Sequence, residues 1–477
     1  MIRTRFPVSV ALLALLAGCA VNPATGRREL SLVSEAQEIQ MGRDADPQVT
    51  ASIGVVDEPA LQAYVAGIGQ RMAAVSERPQ LPWSFKVVDD PVVNAFAIPG
   101  GFIYVTRGIL AYFDTEAELA AVLGHEIGHV TARHSASQMS RQQLQTLGLG
   151  VGMIFSETVR EYGGLAQAGL QVLNLSYSRG DESQSDELGL RYMTRVGYDP
   201  TAMIGVFQML AEVSGGEGRV PEWQLTHPYP ENREATTRAR IAEQGIAPGG
   251  TVARDAYLDH IDGLVFGENP REGYFQGTRF THPDLQFGLT FPDGWTTVNQ
   301  RAAVGAISAS QDAAIVLEVV EDGGAPATEL RDFLAQSGVT GGPTREDGFG
   351  PVERARASFN LSTQDVTYRG EVAFIRYRDT VYRMIGYTTP DRWSGYSSAV
   401  AAAISSFRAI TDPAILGIQP WRIDIVTLSG ASSLNTYAQR NPGPVDAATL
   451  GKLNRHDPGE VLSAGTRIKR VVGQPLP

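Results

Sequence analysis

A single cysteine, Cys19, stands in a chain of 477 residues. With no second thiol there is no disulfide framework, and a cysteine-rich zinc or iron–sulfur site is excluded. Positive charge is also in short supply, 40 Lys and Arg against 52 Asp and Glu, for a formal net charge of −12. Nucleic acid is therefore not an expected partner, because no basic surplus exists to displace counterions from phosphates. Long apolar runs are missing too. Residues 8–17 give an apolar stretch of ten and residues 147–155 one of nine, both far short of the roughly 20 that cross a bilayer. What remains, 43% hydrophobic and 19% charged residues, is the composition of a globular chain. At roughly 150 residues per domain it has the length of about three.

The N-terminus specifies a compartment. Arg3 and Arg5 precede the ten-residue apolar stretch, the layout of a secretory signal. Leu16-Ala17-Gly18-Cys19 resembles the bacterial lipobox, which implies a lipoprotein signal peptide over 1–18, lipidation of Cys19 and a lipidated tether over 19–34. Ala20, where an Asp would signal retention, points to the outer membrane and its periplasmic face. Several acyl chains on Cys19 would hold the body to the membrane, at about 0.8 kcal/mol per buried methylene.

The expected fold class is multidomain α+β. Residues 35–250 read as a mainly helical domain with a small sheet. Thr115-Glu116-Ala117-Glu118 is a capping box opening a helix that should run to about Gln145. Before it, residues 85–89, 92–98 and 102–106 read as strands, with Pro99-Gly100-Gly101 as a hairpin turn. A second long helix is expected over 181–196, and residues 250–280 read as a linker. Residues 280–412 carry strand signals at 286–291, 304–310, 314–320, 372–378 and 382–387 and helix signals near 328–337 and 396–408, an antiparallel α+β accessory domain. Residues 421–472 read strand, helix, helix, strand.

Chemistry concentrates in His125-Glu126-Ile127-Gly128-His129. Histidines at i and i+4 of a helix share one face one turn apart, so their ring nitrogens can converge on one ion. The intervening Glu126 can reach a metal-activated water without being a ligand, and zinc lowers the pKa of such a water to about 7. A catalytic zinc needs a third protein ligand. Ala132 and Ser135 stand where an extended three-histidine pattern needs Gly and His, and His134 is one residue out of register. The acidic candidates are Glu182 and Asp186, an i, i+4 pair at the start of the second helix. Glu182 would ligate zinc, and Asp186 would fix the tautomer of a ligand His.

Five segments resemble the HtpX/BepA-type zinc metallopeptidases, relatives of the prenyl-protein CAAX endoprotease. They are NPATGRREL at 22–30, NAFAIPGGFIYVTRGIL at 94–110, ELAAVLGHEIGHVTARHSA at 118–136, SYSRGDESQSDELGLRYMTRVGYDP at 176–200 and THPYPENR at 226–233. The resemblance covers residues 22–245 and implies a zincin-type peptidase with one Zn²⁺ per chain. Its ligands would be His125, His129 and Glu182, with Glu126 as general base. Ser185 departs from the usual Ala. In relatives resembling BepA, the His of the THP motif can fill the fourth zinc position and hold the enzyme latent, a role that falls here on His227. Arg233 would anchor that loop or stabilise an oxyanion. Asn94, Ala95 and Phe96 are the candidate substrate-binding strand, since an exposed edge holds an extended peptide by main-chain hydrogen bonds. Residues 147–170, Gly-rich and apolar, read as a lid or a membrane-facing loop.

The tail resembles a LysM-like module in Lys452-Leu453-Asn454 and in residues 462–469. Its first half lacks the usual Asp-Thr, so peptidoglycan binding and a packing role both stay open. The function expected is hydrolysis of misfolded or stalled envelope polypeptides. The alternative is a non-proteolytic chaperone, assembly or peptidoglycan-binding lipoprotein with an inert zinc site.

Overall fold

In the chain's first half, short elements with strong local start signals surround one fully buried helix. The computed structural model describes residues 19–26, 28–30, 32–140, 177–214, 227, 232–247, 249–320, 322–363 and 366–474. The expected signal peptide, 1–18, and the Gly-rich 147–170 lie outside them. A ribbon of β1 (Cys19–Val21) and β2 (Arg28–Leu30) precedes α1 (Glu35–Ile53), whose Ser34 and Gln37 form a capping box. α2 (Pro59–Ala74) starts on proline, where the missing N–H has no helical partner to lose. β3 (Ser84–Val88), β4 (Ala95–Ile98) and β5 (Phe102–Thr106) then form a sheet in the order β3-β5-β4, so β4 lies at an edge.

After α3 (Arg107–Tyr112) comes α4 (Glu116–Thr131), buried at every position from Ala117 to Thr131. The expected capping box is there: Thr115 Oγ1 accepts the Glu118 N–H at 3.1 Å, and Glu118 Oε2 accepts the Thr115 N–H at 3.2 Å. The helix does not reach Gln145. It stops at Thr131, Arg133 takes a left-handed φ of 61°, and residues 134–140 form a separate helical segment. Distant side chains take over the carbonyls at its end: Asn22 Nδ2 donates to Ala132 O at 3.2 Å and Arg78 Nη1 to Val130 O at 2.9 Å. α5 (Arg179–Val196), α6 (Ala202–Ser214) and α7 (Arg233–Glu243) complete the helical layer.

Residues 250–280 are not a linker. α8 (Arg254–Ile261) buries Tyr257, Leu258 and Ile261 in the core that holds α4. Its cap is Ala253 with φ of 50° and no side-chain cap bond, so it announces no start signal. β6 (Tyr274–Gln276) and β7 (Arg279–His282) follow and pair with β8 (Phe287–Thr290). The larger sheet is antiparallel throughout. It contains β9 (Thr296–Gln300), β10 (Ala303–Ile307), β11 (Ala313–Val320), β12 (Val339–Gly341), β13 (Arg345–Glu346), β14 (Val352–Ser362), β15 (Thr367–Tyr377) and β16 (Thr380–Thr388). The order is β12-β14-β15-β16-β11-β10-β9, which leaves β9 at an edge. Along β15, Ala373 and Ile375 face α10 (Trp393–Ser405) while Val372 and Phe374 face α9 (Pro326–Leu334), the two-residue period of a strand covered on both sides.

The tail is β17 (Arg422–Thr427), β18 (Ser432–Ser433), α11 (Leu434–Arg440), α12 (Ala447–Asn454), β19 (Val461–Leu462) and β20 (Arg467–Val472), with β17 antiparallel to β20. It has its own core of Leu434, Leu450, Leu462 and Ile468, yet Ile423, Leu453 and Val471 join the core around α4. Arg455 reaches Glu118 in the α4 capping box at 3.1 Å. Lys469 is fully buried and donates to the carbonyls of Phe113 at 2.7 Å and Ala111 at 3.2 Å. Burial pushes its ammonium down to about 8, whereas in the unfolded chain it titrates near 10.4. The cost of holding the charge is therefore full below pH 8 and fades as pH rises toward 10.4. We expect wild-type stability to climb relative to Lys469→Met between pH 8 and 10, by an amount on the order of 3 kcal/mol at most. Denaturant unfolding of both chains at several pH values checks this; parallel curves would show that the ammonium is not desolvated. Among the described residues no helix is long and apolar enough to cross a membrane.

Candidate metal centre

Two helices meet so closely that even a methyl at these glycines would press on the facing helix. A Cβ on Gly128 would lie 3.0 Å from the Ser185 backbone, and one on Gly124 would lie 3.1 Å from Gly189 Cα. This contact of α4 with α5 brings His125 and His129 on one helix against Glu182 and Asp186 on the other. Ser185, the departure from the family pattern, is small enough to fit, and its Oγ sits 3.4 Å from His134 Nδ1.

The ligand atoms converge. Nε2 of His125 and of His129 are 3.0 Å apart, and the Glu182 carboxylate lies 3.5 Å from the first and 3.3 Å from the second. His227 enters from the other side, its Nδ1 2.9 Å from Glu182 Oε1 and 3.4 Å from His125 Nε2. One ligating atom from each of His125, His129, Glu182 and His227 falls within 4.8 Å of the others, and all four residues are buried. Three imidazoles and one carboxylate suit zinc in type and number. The polar balance also fits an ion: Glu182 Oε2 has no hydrogen-bond partner among the described residues, although Glu182 is 0% exposed. Burial would raise the Glu182 carboxyl, but the charge of His227 and the hydrogen bonds of the three histidines hold it well below its ordinary value. Burial drives His129 well below the ordinary imidazole range, the neutral form a metal requires.

Glu126 is fully buried, and neither of its carboxylate oxygens has a hydrogen-bond partner among the described residues. His227 Nε2 is its nearest cation-capable group, at 3.6 Å. Burial raises its carboxyl above the usual range, the direction a general base working near neutral pH needs.

Around this centre stands a ring of orienting groups. Asp186 Oδ1 lies 2.9 Å from His125 Nδ1, placed to accept a hydrogen bond from it and leave Nε2 toward the cluster. Arg233 is 3% exposed; it grips both oxygens of Asp186, Nε at 2.9 Å from Oδ2, and lies over the Phe207 ring at 4.5 Å. It thus sits behind the ligands, one step from His125. His134 also falls in this ring, with Nδ1 3.0 Å from His129 Nδ1 and Nε2 3.0 Å from Gln184 Oε1. The sequence reading assigned Tyr177 no role. Its ring stacks on His129 at 3.9 Å and its hydroxyl pairs with Ser135 at 2.9 Å. The signal available was its place one residue before Ser178, the cap of α5.

Asn94, Ala95 and Phe96 are not ligands. Asn94 precedes β4 and Ala95 and Phe96 begin it, and all three are buried, so this candidate substrate-binding strand is not the exposed edge that was expected. Cys19 lies in β1.

The family model described as "Peptidase family M48" matches residues 59–241, the span that contains all four ligand candidates. The chain is 34% identical over 245 residues to the "Beta-barrel assembly-enhancing protease" of Yersinia pestis, covering 50% of each chain. It is 33% identical over 227 residues to the protein of that name from Escherichia coli strain K12, covering 46% of each. With the "Mitochondrial metalloendopeptidase OMA1" of Schizosaccharomyces pombe the identity is 31% over 221 residues, 44% of this chain and 63% of that one. The chain thus spans about half the length of the bacterial relatives it matches.

Proposed function

We propose that this chain, whose residues 59–241 match the family model of peptidase family M48, is a zinc-dependent endopeptidase acting on unfolded polypeptides. The observation that carries this is the convergence of His125, His129, Glu182 and His227 beside the unpartnered carboxylate of Glu126. A zinc ion in this donor set supplies Lewis acidity, which lowers the pKa of water and polarises an amide carbonyl. Glu126 accepts the proton of the attacking water and returns it to the leaving amine. Asp186 and Arg233 keep His125 in the tautomer that presents Nε2. β4 is the last strand of its sheet, where an extended backbone would pair once that buried edge is uncovered, and the closed packing around α4 excludes bulk water.

The relatives named for β-barrel assembly and the lipobox at Cys19 support a finer reading: the targets are misfolded or stalled envelope proteins, met at the periplasmic face of the outer membrane. His227 adds regulation. Were His125, His129, Glu182 and His227 all to hold the zinc, no position would remain for a water, so His227 would keep the enzyme latent until it withdrew. The same four-ligand closure favours the second reading, an inert zinc site in a non-proteolytic assembly lipoprotein.

One experiment separates the two. Zinc content and cleavage of an unfolded reporter protein are measured for the wild type and His227→Ala, each with and without a chelator. We expect about one zinc per chain in both, cleavage at least tenfold faster in His227→Ala, and loss of all cleavage on chelation with recovery on added zinc. One zinc without cleavage in either chain would favour the inert-site reading, and equal rates would reject latency alone.

A further inference from the structure

A residue five places on lies about 140° around a helix axis. In an unbroken α4 the His134 ring would therefore point away from the face that carries His125 and His129. The chain breaks instead. α4 ends at Thr131, and Arg133 takes a φ of 61°, a left-handed conformation uncommon outside glycine. Arg133 is tied down in it, ion-paired through Nε with the buried Glu38 and donating from Nη2 to Val33 O at 2.6 Å. The break turns His134 back onto His129, with ring centroids 5.0 Å apart and planes at 75°. A strained residue whose turn delivers one buried side chain to a ligand points to a use for that side chain.

The contact has a definite polarity. Nε2 of His129 faces His125 Nε2 at 3.0 Å and Glu182 at 3.3 Å, so it is the nitrogen available to an ion. For that nitrogen to offer a lone pair, Nδ1 must carry the proton. His129 Nδ1 lies 3.0 Å from His134 Nδ1. A neutral imidazole has one donor and one acceptor, so His134 Nδ1 is then the acceptor and its own proton belongs on Nε2.

An acceptor stands ready there. Gln184 Oε1 lies 3.0 Å from His134 Nε2, and an Asp181 carboxylate oxygen lies 3.7 Å away. Gln184 Nε2 has no hydrogen-bond partner among the described residues, so nothing described for this amide favours the opposite flip. Ser185 Oγ also approaches His134 Nδ1, at 3.4 Å, but stands farther off than His129. The chain of groups thus runs from His129 through His134 to Gln184, one donor and one acceptor at each contact.

We propose that His134 and Gln184 are positioning residues of the metal centre. Gln184 Oε1 holds His134 in the tautomer protonated at Nε2, and His134 Nδ1 accepts the hydrogen bond that keeps His129 Nε2 turned toward the cluster. This is for His129 what Asp186 is for His125. Residues 182–186 of α5 then supply one ligand and the outer support of both histidines, Asp186 directly and Gln184 through His134. The supports differ in charge, a carboxylate behind His125 and a neutral pair behind His129. The inference rests on the zinc reading and not on cleavage, so its test reads metal affinity.

Zinc affinity is measured on full-length chains by competition with a chelator. His134→Phe keeps a ring and loses the acceptor, and it should weaken zinc binding about 10- to 100-fold. His134→Asn puts an amide oxygen near the place of Nδ1 and should return the affinity to within about threefold of wild type. A space-filling role would not show that rescue, because Asn fills the site less well than Phe. Gln184→Leu should weaken binding about three- to tenfold beside His134 and not at all in His134→Asn, which has no Nε2 to support. Unchanged affinity in His134→Phe, or an equal Gln184→Leu loss in both backgrounds, overturns the proposal and leaves the zinc site standing. Should His134→Phe fail to fold, NMR of the imidazole nitrogens in the zinc-loaded wild type decides. His134 protonated at Nε2 alone upholds the proposal, and a proton on its Nδ1 overturns it. A wild type that binds no zinc would overturn the zinc reading itself, and this inference with it.

Discussion

Replacing Glu126 by glutamine will leave one zinc per chain and slow cleavage by about 10²- to 10⁴-fold. Glutamine has nearly the same shape, and the carboxylate it replaces makes no hydrogen bond to any described residue, so the substitution strands no partner. Nor is Glu126 among the four residues whose ligating atoms converge. What disappears is the ability to accept a proton. A neutral amide cannot take one from the attacking water, and a loss of this size corresponds to about 3–5 kcal/mol of barrier. The substitution also relieves a desolvation cost, since burial disfavours the charged carboxylate. Glu126→Gln should therefore unfold no earlier than the wild type. Cleavage of an unfolded reporter, metal content and thermal unfolding decide the matter together. A rate within threefold of the parent, measured in the His227→Ala background, would remove Glu126 as the base.

The sequence makes the two halves of the site readable because each is a local pattern. His125 with His129 and Glu182 with Asp186 are i, i+4 pairs, and a helix turns such spacing into proximity without any knowledge of the fold. The Thr115–Glu118 box and the four main elements of the tail were legible for the same reason: their signals sit within a few residues of what they start. What joins the halves is not local. Gly124, Gly128 and Gly189 are visible as small residues, but nothing in their spacing says that they face each other across 60 residues. Arg233 lies 47 residues from the carboxylate it grips, and Lys469 more than 350 from the carbonyls it caps.

The failures share this cause. α4 stops at Thr131 because Asn22 and Arg78 satisfy its terminal carbonyls from elsewhere in the chain, while the apolar pattern alone runs on. α8 lacks a side-chain cap, and its apolar residues are paired with a core that forms only once the first half has folded. β14 went unread because its inward positions at 355 and 357 are alanines, flanked by arginines, in place of the β-branched residues that announce a strand. Ala355 and Ala357 are buried all the same, beneath α9. A short side chain suffices where a helix supplies the volume.

Glu182→Ala will lose zinc, and the loss will exceed that of Asp186→Ala. Glu182 touches everything at the centre: His125 at 3.5 Å, His129 at 3.3 Å and His227 at 2.9 Å. It is the only carboxylate in the converging group, so its removal leaves three imidazoles with no anion to balance a divalent ion. Asp186 acts at one remove, through His125 Nδ1. Removing such an outer partner typically weakens metal binding about 10- to 100-fold, and loss of the ligand itself should exceed 100-fold. Stability reports the same difference, because a ligand that binds only the folded chain stabilises it by about 2.7 kcal/mol at 100 times its Kd and not at all well below Kd. Wild type should therefore melt higher with a slight excess of zinc than with a chelator, Asp186→Ala should show a smaller gap, and Glu182→Ala none. Without zinc the ranking changes. Glu182 is then a fully buried carboxylate held by three histidines and approached by Arg233 Nη1 at 3.6 Å, so taking it away leaves those groups without their anion. The metal-free Glu182→Ala chain should melt below the metal-free wild type, which separates a ligand from a residue that merely crowds the site. If Glu182→Ala kept equimolar zinc and the full zinc-dependent rise in Tm, the ion would have to sit elsewhere, and the three-histidine, one-carboxylate assignment would fall.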